Sequence, residues 1–290
     1  MLNKLTVGTA QFGLPYGISQ HDRQSNDQEI TKILRLCREL NIRSLDTAVA
    51  YGNSELVLGQ LGIQDFEIST KLPAYTPQDG NVEKWVENQV LGSISRLGVA
   101  KLKCLLLHRP LQLIENIGHQ IFGAMVEIRD RGLTDQIGIS VYSPEELELI
   151  CNRFRIDVVQ LPFNVIDRRF EQTGWFDRLF DSKIEVHVRS VFLQGLLLMG
   201  PELRPKKFHP WNGLWQNWQN WLSDSQQNAI EACLGFVGSC EQISRIVIGI
   251  HDEMQLSDVV AALQGLCQRI PPDLSSQELS LIDPSRWSTL

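Results

Sequence analysis

Apolar residues in this chain fall into short runs that alternate with stretches of helical periodicity. Segments 5–9, 44–47, 66–71, 103–108, 136–140, 157–161, 185–191 and 245–250 read as strands. Between them apolar positions recur three and four apart. Ile30, Ile33, Leu34, Cys37 and Leu40 form one face of a helix, and Ser25-Asn26-Asp27-Gln28 ahead of it fits a capping box. Further helices are predicted over about 54–61, over 82–97 with Trp85, Val86, Val90, Ile94 and Leu97 inward, and over 115–131 with Ile117, Ile121, Phe122, Met125 and Ile128 inward. Ser143-Pro144-Glu145-Glu146 supplies an N-cap, a proline at the first helical position and acids in the first turn of a helix running to about Arg153. Helices over 171–181 and 254–267 complete the pattern.

Eight strands, seven of them followed by a clear helix, with no dividing linker, imply one parallel α/β domain spanning 1–290. Eight units favour a closed (β/α)8 TIM barrel over an open doubly wound sheet. The open sheet would carry GxGxxG after its first strand, and Gly8-Thr9-Ala10-Gln11-Phe12-Gly13 has a different spacing. The stretch 191–245 is the longest connection. It holds a Pro/Lys-rich loop, 200–210, and then Trp211, Trp215, Trp218 and Trp221 at helical spacing. That stripe reads either as the packing face of a helix or as an aromatic wall over a substrate. The tail from Pro271 offers one helix, 275–281.

Composition narrows the function. A net charge of −7 lacks the basic face of a nucleic-acid binder and suits a small-molecule partner. Six scattered cysteines without a CxxC pair read as reduced, mostly buried thiols in a cytoplasmic protein, with no metal site or disulfide framework. The first residues have no cleavage pattern of a signal peptide, and no apolar run reaches the ~18–20 residues of a membrane span.

The chemistry gathers at strand ends. LDTAVAYGNSE, 45–55, places Asp46 and Tyr51 on either side of a small turn, and the runs ending on Lys71, His108 and Ser140 each close on a polar residue. In a parallel barrel those positions lie on the C-terminal rim, where such barrels carry their chemistry. A phenol with an ordinary pKa near 10 is a poor acid, and Lys71, held by Asp46, would stabilise its phenolate and lower that value. His108 could bond the substrate oxygen or relay a proton. The set suits acid–base catalysis at a carbonyl or alcohol. Singly, Asp46 also reads as a cap for the helix near Ser54, and Lys71 as an ordinary ion-pair partner.

LDTAVAYGNSE, the run ISTK at 68–71 and the run LLLH at 105–108 resemble the motifs of the aldo-keto reductase family, and the likeness extends from Gly8-Thr9 to Ile248-Gly249-Ile250. The resemblance implies a (β/α)8 barrel that uses NADPH or NADH to reduce an aldehyde, ketone or sugar carbonyl, or to oxidise the alcohol. It assigns Tyr51 as proton donor, Lys71 and Asp46 as the pair that tunes it, and His108 as the residue orienting the carbonyl. It places Gly8 and Thr9 beside the cofactor and gives Ser140 and Gln160 to the nicotinamide carboxamide. Arg189, Ser190, Phe192, Gln194 and Gly195 belong to the loop covering the pyrophosphate, with Arg189 where many members stack a Tyr on the nicotinamide. Gly249, Ile250, His251, Gln255 and Asp258 form the adenosine end. There, Asp252 and Glu253 would repel a 2′-phosphate and only His251 could attract one, so both cofactors stay open. A non-catalytic nicotinamide-binding barrel is the alternative from another class.

Overall fold

The computed structural model describes residues 1–18, 23–263 and 268–289. Its strands are β1 (Leu5–Gly8), β2 (Ser44–Asp46), β3 (Glu67–Leu72), β4 (Leu102–Leu107), β5 (Thr134–Ser140), β6 (Val158–Pro162), β7 (Glu185–Arg189) and β8 (Ile243–Gly249). Each pairs in parallel with the next, and β8 pairs with β1, which closes the barrel. The helices are α1 (Ala10–Gly13), α2 (Asp27–Glu39), α3 (Ser54–Gln60), α4 (Val82–Leu97), α5 (Gly118–Asp130), α6 (Pro144–Cys151), α7 (Arg169–Gln172), α8 (Trp175–Asp181), α9 (Asn212–Ser225), α10 (Ala229–Gly238), α11 (Glu253–Ala262) and α12 (Leu279–Ile282). Among the described residues no helix is long and apolar enough to cross a membrane.

The two-residue period of the strands sorts side chains between two environments. Leu45, Ile68, Leu105, Leu107, Ile137, Ile139, Val159, Leu161, Val186 and Val188 join the main core, between sheet and helices. Cys104, Leu106 and Val158, on the opposite parity, form a separate small cluster. The same parity carries Asp46, Lys71, Gln160 and Arg189 to the strand ends, so the alternation that fills the barrel also aims these groups at its rim.

Several elements differ from the sequence-based expectation, each for a local reason. The capping box of α2 sits one residue later: Asn26 accepts from Glu29 N at 3.0 Å, and the Glu29 carboxylate accepts from Asn26 N at 2.9 Å. Ser25 Oγ instead donates to the His251 carbonyl, 3.0 Å away. The helix expected over 115–131 begins at Gly118, because Glu115, which closes a 3₁₀ turn at Pro110–Ile114, is extended with ψ 172°. The one expected over 171–181 is two helices, α7 and α8, parted at Gly174 with φ +73°. The tail helix is Leu279–Ile282, later than expected, behind a 3₁₀ turn at Pro272–Leu274. Helix α10 was not anticipated, although Asn228 and Glu231 cap it reciprocally ahead of an apolar run. The end of the helix expected over 254–267, with Cys267, lies outside the described residues, as do 19–22 of the loop after β1.

Trp215 and Trp218 turn inward from α9, and Trp221 stacks on Trp218 at 5.6 Å between centroids. The stripe is a packing face with buried donors satisfied: Trp215 Nε1 donates to Phe208 O at 3.0 Å and Trp218 Nε1 to Leu197 O at 3.1 Å. Trp211 precedes the helix and donates to Glu278 at 2.9 Å.

Candidate active site

The turn after β2 carries Tyr51, and backbone contact fixes it. Tyr51 N bonds the Ala48 carbonyl and Ser54 N bonds the Tyr51 carbonyl, both at 3.0 Å. A Cβ on Gly13 would lie 1.8 Å from Tyr51 O, and one on Gly52 would lie 2.3 Å from Gly13 O. The end of α1 therefore rests directly on the tyrosine turn, which only glycine at both positions permits. Ser54 Oγ also donates to Thr9 O at 2.9 Å. Behind the turn, buried Glu55 accepts from Thr70 at 2.6 Å and from Arg96 Nε at 2.8 Å, which pins α3 to β3 and α4.

Beneath the phenol lies an ion pair cut off from water. Lys71 is 1% exposed and Asp46 3%. Lys71 Nζ donates to Asp46 Oδ1 at 2.5 Å and to Thr47 O at 2.8 Å. The ammonium is 5.0 Å from the centroid of the Tyr51 ring, and His108 meets that ring edge-on at 5.9 Å. The structure thus brings together all four residues expected to act on protons.

Its electrostatics differ from the expectation in one respect. Burial, then the Asp46 carboxylate, pushes the Tyr51 phenol well above its ordinary range, while Arg189 works to lower it. The ammonium does not depress it, because Lys71 is engaged by Asp46 and Thr47, and the negative partner faces the phenol as well. The phenol therefore keeps its proton across the neutral range. Burial first, then the charges of Lys71 and Arg189, lower His108 to about 4, so its imidazole is neutral at pH 7.

That shift has a consequence for stability. A histidine held below its ordinary value near 6.5 stabilises the fold fully above that pH, and the contribution is lost as pH falls towards about 4. His108→Gln should therefore flatten the decline in stability between those limits. Urea midpoints of both proteins across that window check it, and parallel curves would refute the assignment.

All the expected cofactor residues except Ser140 line one cavity of about 380 Å³, together with Asp46 and Tyr51. Ser140 reaches it through Gln160, its Oγ donating to Gln160 Oε1 at 3.4 Å. The loop after β7 lines one part of the cavity, and in it Ser190, Leu193 and Gln194 hold φ of +59°, +48° and +53°. Such left-handed conformations at non-glycine residues persist only where surrounding contacts enforce them. Two such contacts are the bond from Trp218 to Leu197 and a strap from the loop after β1: Gln194 Nε2 donates to the Tyr16 hydroxyl at 3.1 Å, and Ile18 N to Gln194 O at 3.3 Å. The Arg189 plane lies over Tyr142, 4.4 Å from its centroid, and donates to Val141 O at 2.9 Å. Sequence reading missed Tyr16 and Tyr142, which lie in loops without periodicity, and Gln11, which lies in the one-turn helix α1, too short to show any. The one available signal was the Gly/Pro-bearing composition around Tyr16.

The end of β8 also departs from expectation. The Asp252 carboxylate caps α11, accepting from Gln255 N at 2.9 Å, and Glu253 pairs with Arg35 at 3.0 Å. Both acids are thus committed locally, which weakens the expected repulsion of a phosphate. His251 is buried and held below its ordinary pKa, first by burial and then by the Arg23 charge. Gln11 Oε1 and His251 Nδ1 are buried without hydrogen-bond partners among the described residues, and both residues line the cavity. Unpartnered polar atoms beside a cavity with an apolar, glycine-bordered lining fit a polar ligand such as a nicotinamide dinucleotide.

Comparison with known proteins agrees with the architecture. The solved aldo-keto reductase of Bacillus halodurans in its holo form superposes with a TM-score of 0.76 at 19% identity, over 98% of this chain and 95% of that one. The glycerol dehydrogenase of Gluconobacter oxydans gives 0.71 at 16% identity, over 97% and 92%. In sequence, the uncharacterized oxidoreductase YqkF of Bacillus subtilis is 26% identical over 69% of this chain and 68% of its own. An aldo-keto reductase of Mycobacterium tuberculosis is 27% identical over 42% of this chain, and the match spans 44% of that relative's length. The Aldo/keto reductase family matches residues 4–268. With the barrel closed and that match spanning nearly all of it, the chain belongs to the aldo/keto reductase family.

Proposed function

We propose that the protein is an NAD(P)H-dependent oxidoreductase that reduces a small aldehyde, ketone or sugar carbonyl, or oxidises the corresponding alcohol. The observation that carries this reading is the buried Lys71–Asp46 pair directly beneath Tyr51, at a cavity lined by the expected cofactor residues. The nicotinamide, when bound, supplies or accepts the hydride. Tyr51 gives its proton to the substrate oxygen, and its raised affinity for that proton keeps it loaded as a donor. Neutral His108 bonds the same oxygen and sets its direction. Gln160 and Ser140 hold the carboxamide, and the loop 190–195 covers the pyrophosphate. Orientation and electrostatics are the protein's share of such chemistry. Purified protein mixed with NADH or NADPH and a panel of carbonyls, followed by nicotinamide absorbance, tests the reading. No turnover with any member of a broad panel would favour a binding protein instead.

Cofactor choice rests on the end of β8. His251 is neutral there, and the carboxylate of Asp252 faces its own helix, so the site has little to hold a 2′-phosphate and NADPH is not strongly favoured. Asp252→Arg should shift preference towards NADPH by roughly tenfold or more, since a charge-assisted contact contributes about 1.5–3 kcal/mol. The same change removes the α11 cap, at a cost of about 1 kcal/mol in stability. Titrating both cofactors against both proteins checks this. If the unmodified protein already binds NADPH about a hundredfold more tightly, a gap of about 2.7 kcal/mol, then phosphate recognition rests on another cation, with Arg23 the first to substitute.

A further inference from the structure

Among the described residues the Asp46 carboxylate has two hydrogen-bond partners. Oδ1 takes the Lys71 ammonium, and Oδ2, on the other side, accepts from Gln160 Nε2 at 2.7 Å across 114 residues of sequence. Gln160 is fully buried and sits on β6 in register with Ser140 of β5. Its orientation is fixed by chemistry, because an ionised carboxylate only accepts and the atom facing it must be the amide nitrogen. One carboxamide thus spans two functions: its nitrogen holds Asp46, while the residue borders the cavity. A primary amide has two N–H donors and two carbonyl lone pairs. The bonds to Asp46 and from Ser140 leave one of each for a second carboxamide.

We propose that Gln160 is a positioning residue for the Asp46–Lys71 pair, so that the group meeting the nicotinamide also sets the geometry of the proton-transfer site. The proposal rests on the enzyme reading above. Two contacts at opposite oxygens fix the carboxylate plane, and with it the Lys71 ammonium under Tyr51. Losing the Gln160 donor leaves a buried charged oxygen without that partner, and the carboxylate is free to turn.

The first test needs no cofactor. Urea midpoints are measured on cofactor-free protein for Gln160→Met, Asp46→Asn and the double variant. Coupling through the contact predicts that Gln160→Met lowers the midpoint less than half as far on the Asp46→Asn background as on the unmodified one. Gln160→Glu is a near-isosteric second variant that sets carboxylate against carboxylate. It should be more disruptive than Gln160→Met, and the excess should vanish with Asp46→Asn. The second test separates kcat from KM. Misplacing the pair should lower kcat of Gln160→Met about ten- to a hundredfold at saturating cofactor. Additive midpoints, or an unchanged kcat with only the cofactor KM raised, would overturn the proposal and leave Gln160 a carboxamide contact. Coupled midpoints together with no turnover of any carbonyl by the unmodified protein would instead sink the enzyme reading, and the catalytic role of Gln160 with it.

Discussion

Tyr51→Phe should lower carbonyl reduction by about 10²–10⁴-fold, the range for a positioned general acid, while leaving cofactor affinity close to that of the unmodified protein. The substitution removes one oxygen and keeps the ring, so the edge contact with His108 and the approach to Lys71 persist. The turn is fixed through backbone groups of Gly13, Ala48 and Ser54, none of which the change touches. Burial and the Asp46 carboxylate hold the phenol's proton tightly. Steady-state rates on a carbonyl that the unmodified protein reduces well, with cofactor titrations alongside, decide the matter. Near-normal turnover in Tyr51→Phe would remove the proton-donor assignment.

Lys71→Met should damage both activity and fold. The side chain is sealed from water, and its ammonium is the cationic partner of Asp46. Breaking a buried pair from one side costs about 3–5 kcal/mol, because the remaining charge stays buried. Against a typical domain stability of about 5–15 kcal/mol, that is a large drop in the denaturation midpoint. Adding Asp46→Leu removes the stranded charge and should recover most of the stability, since apolar replacement of a whole buried pair is often neutral or better. It should recover none of the activity. A double variant as unstable as Lys71→Met would show that the pair is not the source of the loss, and an active one would show that Tyr51 works without it.

Much of the architecture was legible because its signals are short in range. Alternation at period two and recurrence at three and four are set by neighbouring residues, and they located all eight strands and most helices. Placement of chemistry followed from the same parity: a polar residue closing an apolar strand lies at the rim of a barrel. Boundaries failed where a local alternative won. Asn26 outcompeted Ser25 as the cap, the extended Glu115 behind a 3₁₀ turn delayed the start of α5, and Gly174 split a helix. The capping signal of α10, Asn228 with Glu231, is present in the sequence, but only three residues part that helix from α9, so the two helices merge into one long connection.

The electrostatic character of the site was decided by tertiary structure. Lys71 beside a phenol suggested a lowered pKa, yet folding engages its charge with Asp46 and Thr47 and buries the ring, so the phenol moves the other way. Asp252 and Glu253 read as a repulsive pair, yet one caps α11 and the other pairs with Arg35 on α2. The strap from Tyr16 to Gln194 joins residues 178 apart, and the bond from Gln160 to Asp46 joins residues 114 apart. The chain determined by itself which groups it owns and which face of each strand carries them. Which charges meet, and how much water is left around them, depends on contacts between distant segments, and these fix the energy of an ionised group far more than its neighbours in sequence do.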